Sequence, residues 1–178
     1  MKAICNIDTL EAGIEIKDWQ IDNDFILKLE ELKQKMQQDD IEIMPVKINN
    51  IIFNLQSYGV RFYPYVLINE DCFNLYISRK PMNNNLPVRV SLRSMFLWEQ
   101  GYWKAWEIIK DTIKALDYEY TGSKLSRVDL ACHVQGLNLT DIFQRTQDFI
   151  KIRTRAKKRC RPEYDLSKFP NIEMTSLV

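Results

Sequence analysis

Glycine is scarce in this chain, with five in 178 residues. Neither GxGxxG nor GxxxxGK[ST] occurs, so a glycine-built phosphate loop is not expected. The four cysteines, Cys5, Cys72, Cys132 and Cys160, lie far apart and form no CxxC pair. That spacing supports neither a zinc site nor a disulfide framework, and predicts reduced thiols in a cytosolic protein. There is one histidine, His133. No run approaches 18 apolar residues, and no signal-like apolar stretch follows Lys2. A soluble, cytoplasmic protein with no membrane partner is the expectation.

Apolar residues make up 46% of the chain, with four Trp, eight Tyr and eight Phe. That is enough to build a packed core at this length. The net charge of +1 hides an asymmetry. Residues 1–78 hold 7 Lys/Arg against 13 Asp/Glu, a balance of −6. Residues 79–178 hold 18 against 11, a balance of +7. A basic second half points to a polyanionic partner there.

Periodicity sets the elements. Residues 3–16 alternate as an extended segment. In 22–40 the spacing of Phe25, Leu29, Leu32 and Met36 predicts an amphipathic helix capped by Asp22 or Asn23. Residues 46–55 carry an Asn-Asn pair suited to a hairpin turn. Residues 61–68 and 72–79 read as strands around a short turn, the first an edge strand or bulged at Pro64. In 88–94, Val88, Val90 and Leu92 alternate with Arg89, Ser91 and Arg93. A second helix over 99–119 places Tyr102, Trp106, Ile109, Ile113 and Leu116 on one stripe, and its rings are expected in the core. Residues 124–136 follow as a strand, with Ser126, Val128, Leu130, Cys132 and Val134 on a face expected to be buried. A third helix opens at Asn138, with Ile142, Phe143, Thr146, Phe149, Ile150 and Arg153 on its inner face.

These elements predict an α+β fold, a curved antiparallel sheet with helices packed on one face, as a single domain over 1–178. Such a sheet leaves its second face open. Arg89 and Arg93 would share that face with Arg127, Asp129 and His133. A carboxylate in mid-strand needs a partner or a cation. For Asp129 the plain reading is an ion pair with Arg127 or Arg93, and the functional one is a Mg²⁺ or Mn²⁺ ligand. His133 lies roughly 13 Å along an ideal strand from it, too far to share one ion without a bend. A second feature is KIRTRAKKRCR, residues 151–161, in which seven of eleven residues are basic and none is acidic. Lys151, Arg153, Arg155, Lys157, Lys158, Arg159 and Arg161 form a phosphate-binding candidate. The bland alternative is a solvated helix end. Phe62, Tyr63, Tyr65, Phe73 and Tyr76, interleaved with Arg79, Lys80, Arg89 and Arg93, suit stacking and gripping of single-stranded DNA; the plain alternative is that these rings face the core.

The succession of CNIDTLEAGIEI, NLYISRK, VRVSLRSMFLWEQGYWKAWE and LSRVDLACHVQG resembles the replication initiation factors of rolling-circle plasmids and of integrative or phage-like elements. The resemblance runs along most of the chain, and its most specific piece is Arg127-Val128-Asp129-Leu130-Ala131. It implies an HUH-like, relaxase-like nicking domain that binds origin DNA, single-stranded or as a hairpin, and works with a host helicase. It also implies that a tyrosine nicks one strand and stays joined to the 5′ phosphate. A carboxylate-held Mg²⁺ or Mn²⁺ would offset charge on the scissile phosphate. By motif, Asp129 would be one metal ligand. His133 stands where related sequences often carry a second acid, and would be the other. Tyr164 is the only tyrosine beyond the Asp129 strand and does not match the family's nucleophile segment. The resemblance therefore implies that C-terminal strands are missing. The rival expectations are a DNA-binding module that does not cut, and a protein-interaction domain of a mobile element.

Overall fold

A computed structural model describes residues 2–19, 23–79 and 86–135. The chain divides into two compact units, Ile4–His133 and a second made of Met1–Ala3 with Val134–Val178. The elements are β1 (Lys2–Lys17), α1 (Asp24–Gln38), β2 (Ile43–Ile48), β3 (Ile51–Gln56), β4 (Tyr65–Ile68), β5 (Phe73–Ile77), β6 (Val88–Leu92), α2 (Ser94–Lys114) and β7 (Glu119–Gln135). They form the expected α+β arrangement, a seven-stranded antiparallel sheet in the order β2-β3-β4-β5-β6-β1-β7 with two helices.

Local chemistry explains most boundaries. The Asn23 side chain accepts the Phe25 N–H at 2.8 Å, capping α1. Its amide also donates to the Leu116 carbonyl, tying the start of α1 to the end of α2. Asn49 and Asn50 join β2 to β3, and Asn49 takes the left-handed conformation that asparagine tolerates. The strand expected over 61–68 is confined to Tyr65–Ile68. Val60 and Tyr63 instead exchange two backbone hydrogen bonds around a turn of their own. α2 starts at Ser94, earlier than the periodicity suggests, and bends at Gly101, whose φ of 72° only glycine adopts cheaply. Leu116 lies just past its end but is still buried.

Alternation decides what each strand buries. Leu10, Ala12 and Ile14 of β1 stand opposite Leu92, Val90 and Val88 of β6. With Phe73, Leu75 and Ile77 they form one apolar face. Ile26, Leu29 and Met36 of α1, and Phe96, Ala105, Trp106, Ile109 and Ile113 of α2, join the same core. Both helices therefore cover one side of the sheet. The expectation that the α2 rings are core holds for Trp106 and only partly for Tyr102. Trp103 is 80% exposed, because it falls one position off the buried stripe.

β7 corrects another expectation. Val128, Leu130 and Cys132 are exposed rather than buried. β7 ends the sheet and has β1 as its strand neighbour. α2 faces it where Tyr102 and Trp106 line a pocket with Ser123, Leu125 and Val128, and where Trp98 meets His133. The cysteines provide a third correction. Cys5 of β1 and Cys132 of β7 are joined by a disulfide across 127 residues of sequence. The register places them on adjacent strands with Cα atoms 4.0 Å apart, a closeness their spacing cannot reveal. Cys72 is a free thiol, and burial pushes its pKa up. Cys160, the expected third helix and the 151–161 segment lie outside the described residues.

Tyr118 ends the α2 turn and stacks on Trp19 at 4.6 Å. Its hydroxyl is buried and finds no hydrogen-bond partner among the described residues. Burial raises its pKa far above the ordinary tyrosine value of about 10. A raised acid pKa contributes stability that is complete below about pH 10 and lost as pH rises further. Tyr118→Phe keeps the ring and removes the unpaired hydroxyl. It is expected to raise stability at neutral pH by up to about 1 kcal/mol and to flatten the alkaline loss. Urea unfolding at several pH values measures both, and a variant that is weaker at pH 7 would contradict this account.

Candidate nucleic-acid interface

The face of the sheet opposite α1 and α2 is built by the residues that alternate with the core. β5 contributes Asn74 and Tyr76, β6 contributes Arg89 and Ser91, and β1 contributes Glu11. The register aligns Asn74, Ser91 and Glu11 in one row, and Tyr76, Arg89 and Gly13 in the next. Leu86 packs over the bare backbone of Gly13: a Cβ there would stand 2.7 Å from Leu86 Cδ1, and that side chain would have to shift.

The charges on this face are organised around Glu11. Arg89 donates to its carboxylate and lies over the Tyr76 ring at 5.4 Å. Arg127 Nη1 of β7 approaches the other Glu11 oxygen at 3.9 Å. Ser126 donates to the Glu11 carbonyl at 3.1 Å, fixing the strands beside each other. Arg127 then grips Asp129 as a two-pronged fork, Nε to Oδ1 at 3.1 Å and Nη2 to Oδ2 at 2.6 Å. Hydrogen bonding to Asp129, and then its charge, raise the Arg127 pKa. Arg93 crosses from the start of α2 to reach Asn74 Oδ1 at 3.5 Å. The Nε atoms of Arg89 and Arg93 are buried and have no partner among the described residues.

The row expected from the sequence is therefore brought together for Arg89, Arg93, Arg127 and Asp129. It gains Glu11, Asn74 and Tyr76. Glu11 was legible only as an acid alternating with Leu10 and Ala12, and nothing in that pattern says which arginines it will meet. His133 does not join the row. Its ring meets the edge of Trp98 on α2 at 5.1 Å. Asp129 has the arginine partner that the plain reading foresaw. Among the described residues no group of three or more His, Cys, Asp or Glu side chains gathers to hold a metal ion. Asp129 and His133, the suggested Mg²⁺ or Mn²⁺ ligands, thus sit in different surroundings. Tyr164 and the basic residues Lys151, Arg153, Arg155, Lys157, Lys158, Arg159 and Arg161 lie outside the described residues.

Chemically, the face offers guanidinium groups, amides and one tyrosine ring on a rigid, strand-built surface. Its arginines are partly neutralised by Glu11 and Asp129. An incoming phosphate would have to compete with those carboxylates or use the guanidinium edges they leave free. No family model, curated protein or solved structure matches the chain. Among the described residues no helix is long and apolar enough to cross a membrane.

Proposed function

We propose that this chain is the DNA-binding domain of a replication initiator of the rolling-circle kind, gripping single-stranded origin DNA on the sheet face opposite α1 and α2. The supporting observation is the polar row over β5, β6, β1 and β7, in which Arg89 and Arg127 stand on strands and Arg93, at the start of α2, reaches Asn74. The sequence resemblance at Arg127-Val128-Asp129-Leu130-Ala131 and the basic run 151–161 agree with that reading. Phosphate contacts would give affinity.

Two forms of the proposal differ in chemistry. In the nicking form, a metal held by Asp129 polarises the scissile phosphate. In the binding form, Asp129 only orders Arg127. The two-pronged Arg127–Asp129 contact favours the binding form, since a metal would have to displace the guanidinium.

Anisotropy titration of a labelled single strand tests the proposal. Between about 50 and 200 mM salt the affinity is expected to fall steeply, as released counterions require. Combining Arg93→Gln with Arg127→Gln is expected to weaken binding about tenfold and to lower the salt slope by about 1.4. Binding that ignores both salt and these arginines would remove the proposal. Supercoiled plasmid with Mn²⁺ separates the two forms. A covalent protein–DNA adduct that disappears in Asp129→Asn supports nicking. Unchanged or tighter binding by Asp129→Asn, with no adduct from either protein, supports the binding form.

A further inference from the structure

The segment between β3 and β4 holds a bulky residue in a conformation its side chain disfavours. Arg61 and Phe62 form a two-residue turn, closed by Val60 N–H to Tyr63 O at 3.0 Å and Tyr63 N–H to Val60 O at 2.9 Å. Phe62 has φ of 72°. A turn position of this kind ordinarily takes glycine or asparagine, and a bulky side chain there is strained. The strain does not serve packing, because Phe62 is 45% exposed and points away from the core. The Arg61 guanidinium lies 4.6 Å from the centre of its ring.

The base of this small hairpin is held from several sides. Lys33 of α1 donates to the carbonyls of Tyr58 and Pro64 at 3.2 and 2.6 Å. Gly59 passes so close to Pro64 that a Cβ would stand 2.9 Å from its Cα. Tyr63 is buried, packs edge-on against Tyr76 at 6.3 Å, and donates to the Leu86 carbonyl at 3.2 Å. Tyr76 belongs to the polar sheet face and lies under Arg89. A rigid foot thus ties an exposed ring and cation to the border of that face. Arg61 also differs from Arg79, Arg89 and Arg127, each of which pairs with a carboxylate. No described carboxylate forms an ion pair with Arg61.

We infer that the 60–63 hairpin is a base-stacking wedge, in which Phe62 takes an unpaired nucleobase on its free face while Arg61 meets the adjoining phosphate. This rests on the sheet face binding single-stranded DNA, and adds to it a second contact outside the row of arginines. The strained turn fits such a role: it aims an aromatic ring outward at a fixed angle, so little side-chain freedom is lost on binding. A single strand crossing the sheet face would meet the wedge at its Tyr76 border.

The test uses the full chain with two probes, a thymidine oligomer of about 12 nucleotides and a chain of the same length lacking its bases. Phe62→Asn suits the left-handed turn, so its Tm is expected to stay the same or rise by about 2–4 °C. Its affinity for the thymidine oligomer is expected to fall about tenfold. Its affinity for the baseless chain is expected to stay unchanged. Phe62→Trp restores the preference for bases. Should wild type bind the thymidine oligomer and Phe62→Asn bind it equally well, the wedge is overturned while the sheet reading stands, and the tip is left to a protein partner. An equal loss on both probes overturns it too, because a stacked base is then not what the ring contacts. If wild type binds neither probe, the sheet reading fails and the wedge falls with it.

Discussion

Phe73→Ala is expected to bring the Ile4–His133 unit close to unfolding. Phe73 is fully buried in β5, paired with Leu92 of β6. Its ring meets Phe53 edge-on at 5.5 Å and Phe96 of α2 at 6.0 Å. It therefore joins β3, the strand pair at the centre of the sheet, and the start of α2. Truncation removes the transfer energy of the ring and leaves a cavity between neighbours that cannot all collapse into it. Together these cost about 3–5 kcal/mol, against a total stability of about 5–15 kcal/mol for a typical domain. The urea midpoint is expected to fall by about 1.5–2 M. Trp103→Ala is the counterpart. Its ring is larger but exposed, so a change within about 0.5 kcal/mol is expected. A Phe73→Ala loss as small as that of Trp103→Ala would mean that the β5–α2 contact is not part of the core.

Glu11→Gln is expected to move stability and DNA affinity in opposite directions. The Glu11 carboxylate bonds Arg89 and lies within ion-pair reach of Arg127. It is itself largely covered, while both arginines are partly exposed. Neutralising it leaves Arg89, whose Nε already lacks a partner, with a weaker acceptor. Solvent screening limits the resulting loss to about 1 kcal/mol. The same change releases positive charge toward the open face. If phosphates bind there, affinity for a single strand at about 50 mM salt rises by roughly fivefold to tenfold, and the gain shrinks as salt is added. Thermal unfolding and anisotropy titration on the same preparation read both quantities. A fall in affinity alongside the fall in stability would show that the arginines on this face serve the fold and not a polyanion.

Much of the fold could be read from individual residues. The Asn49-Asn50 turn and the alternation of Val88, Val90 and Leu92 carry their own geometry, because turn chemistry and the two-residue strand period are local. Asn23 was legible as a cap for the same reason. β7 was misread because alternation says which residues share a face, not whether anything covers that face. Trp103 shows the same limit at the scale of one residue: an aromatic beside a buried stripe reads much like one within it. Phe62 stood among the rings suited to stacking, but no pattern in RFYP announces its left-handed backbone.

The candidate site was legible in its arginines and in an arginine partner for Asp129, and not in the contacts made by Glu11. Arg89, Arg93, Arg127 and Asp129 stood out as charges alternating with apolar residues. Their arrangement depended on β1 entering the sheet between β6 and β7. That insertion brings Glu11 to Arg89 and Arg127 over long stretches of sequence, and by the same register brings Cys5 to Cys132.

The sequence by itself determined the element types, the apolar face of most strands, and a set of arginines with one aspartate on the polar side. Those follow from periodicity, which is a property of neighbouring residues. Only the tertiary structure decided that Asp129 is held by Arg127, that His133 turns to Trp98, and that an edge strand leaves its hydrophobic residues exposed. Strand order and register fix which distant side chains meet, and the favourable energy of a charge pair depends on that meeting and not on either residue alone.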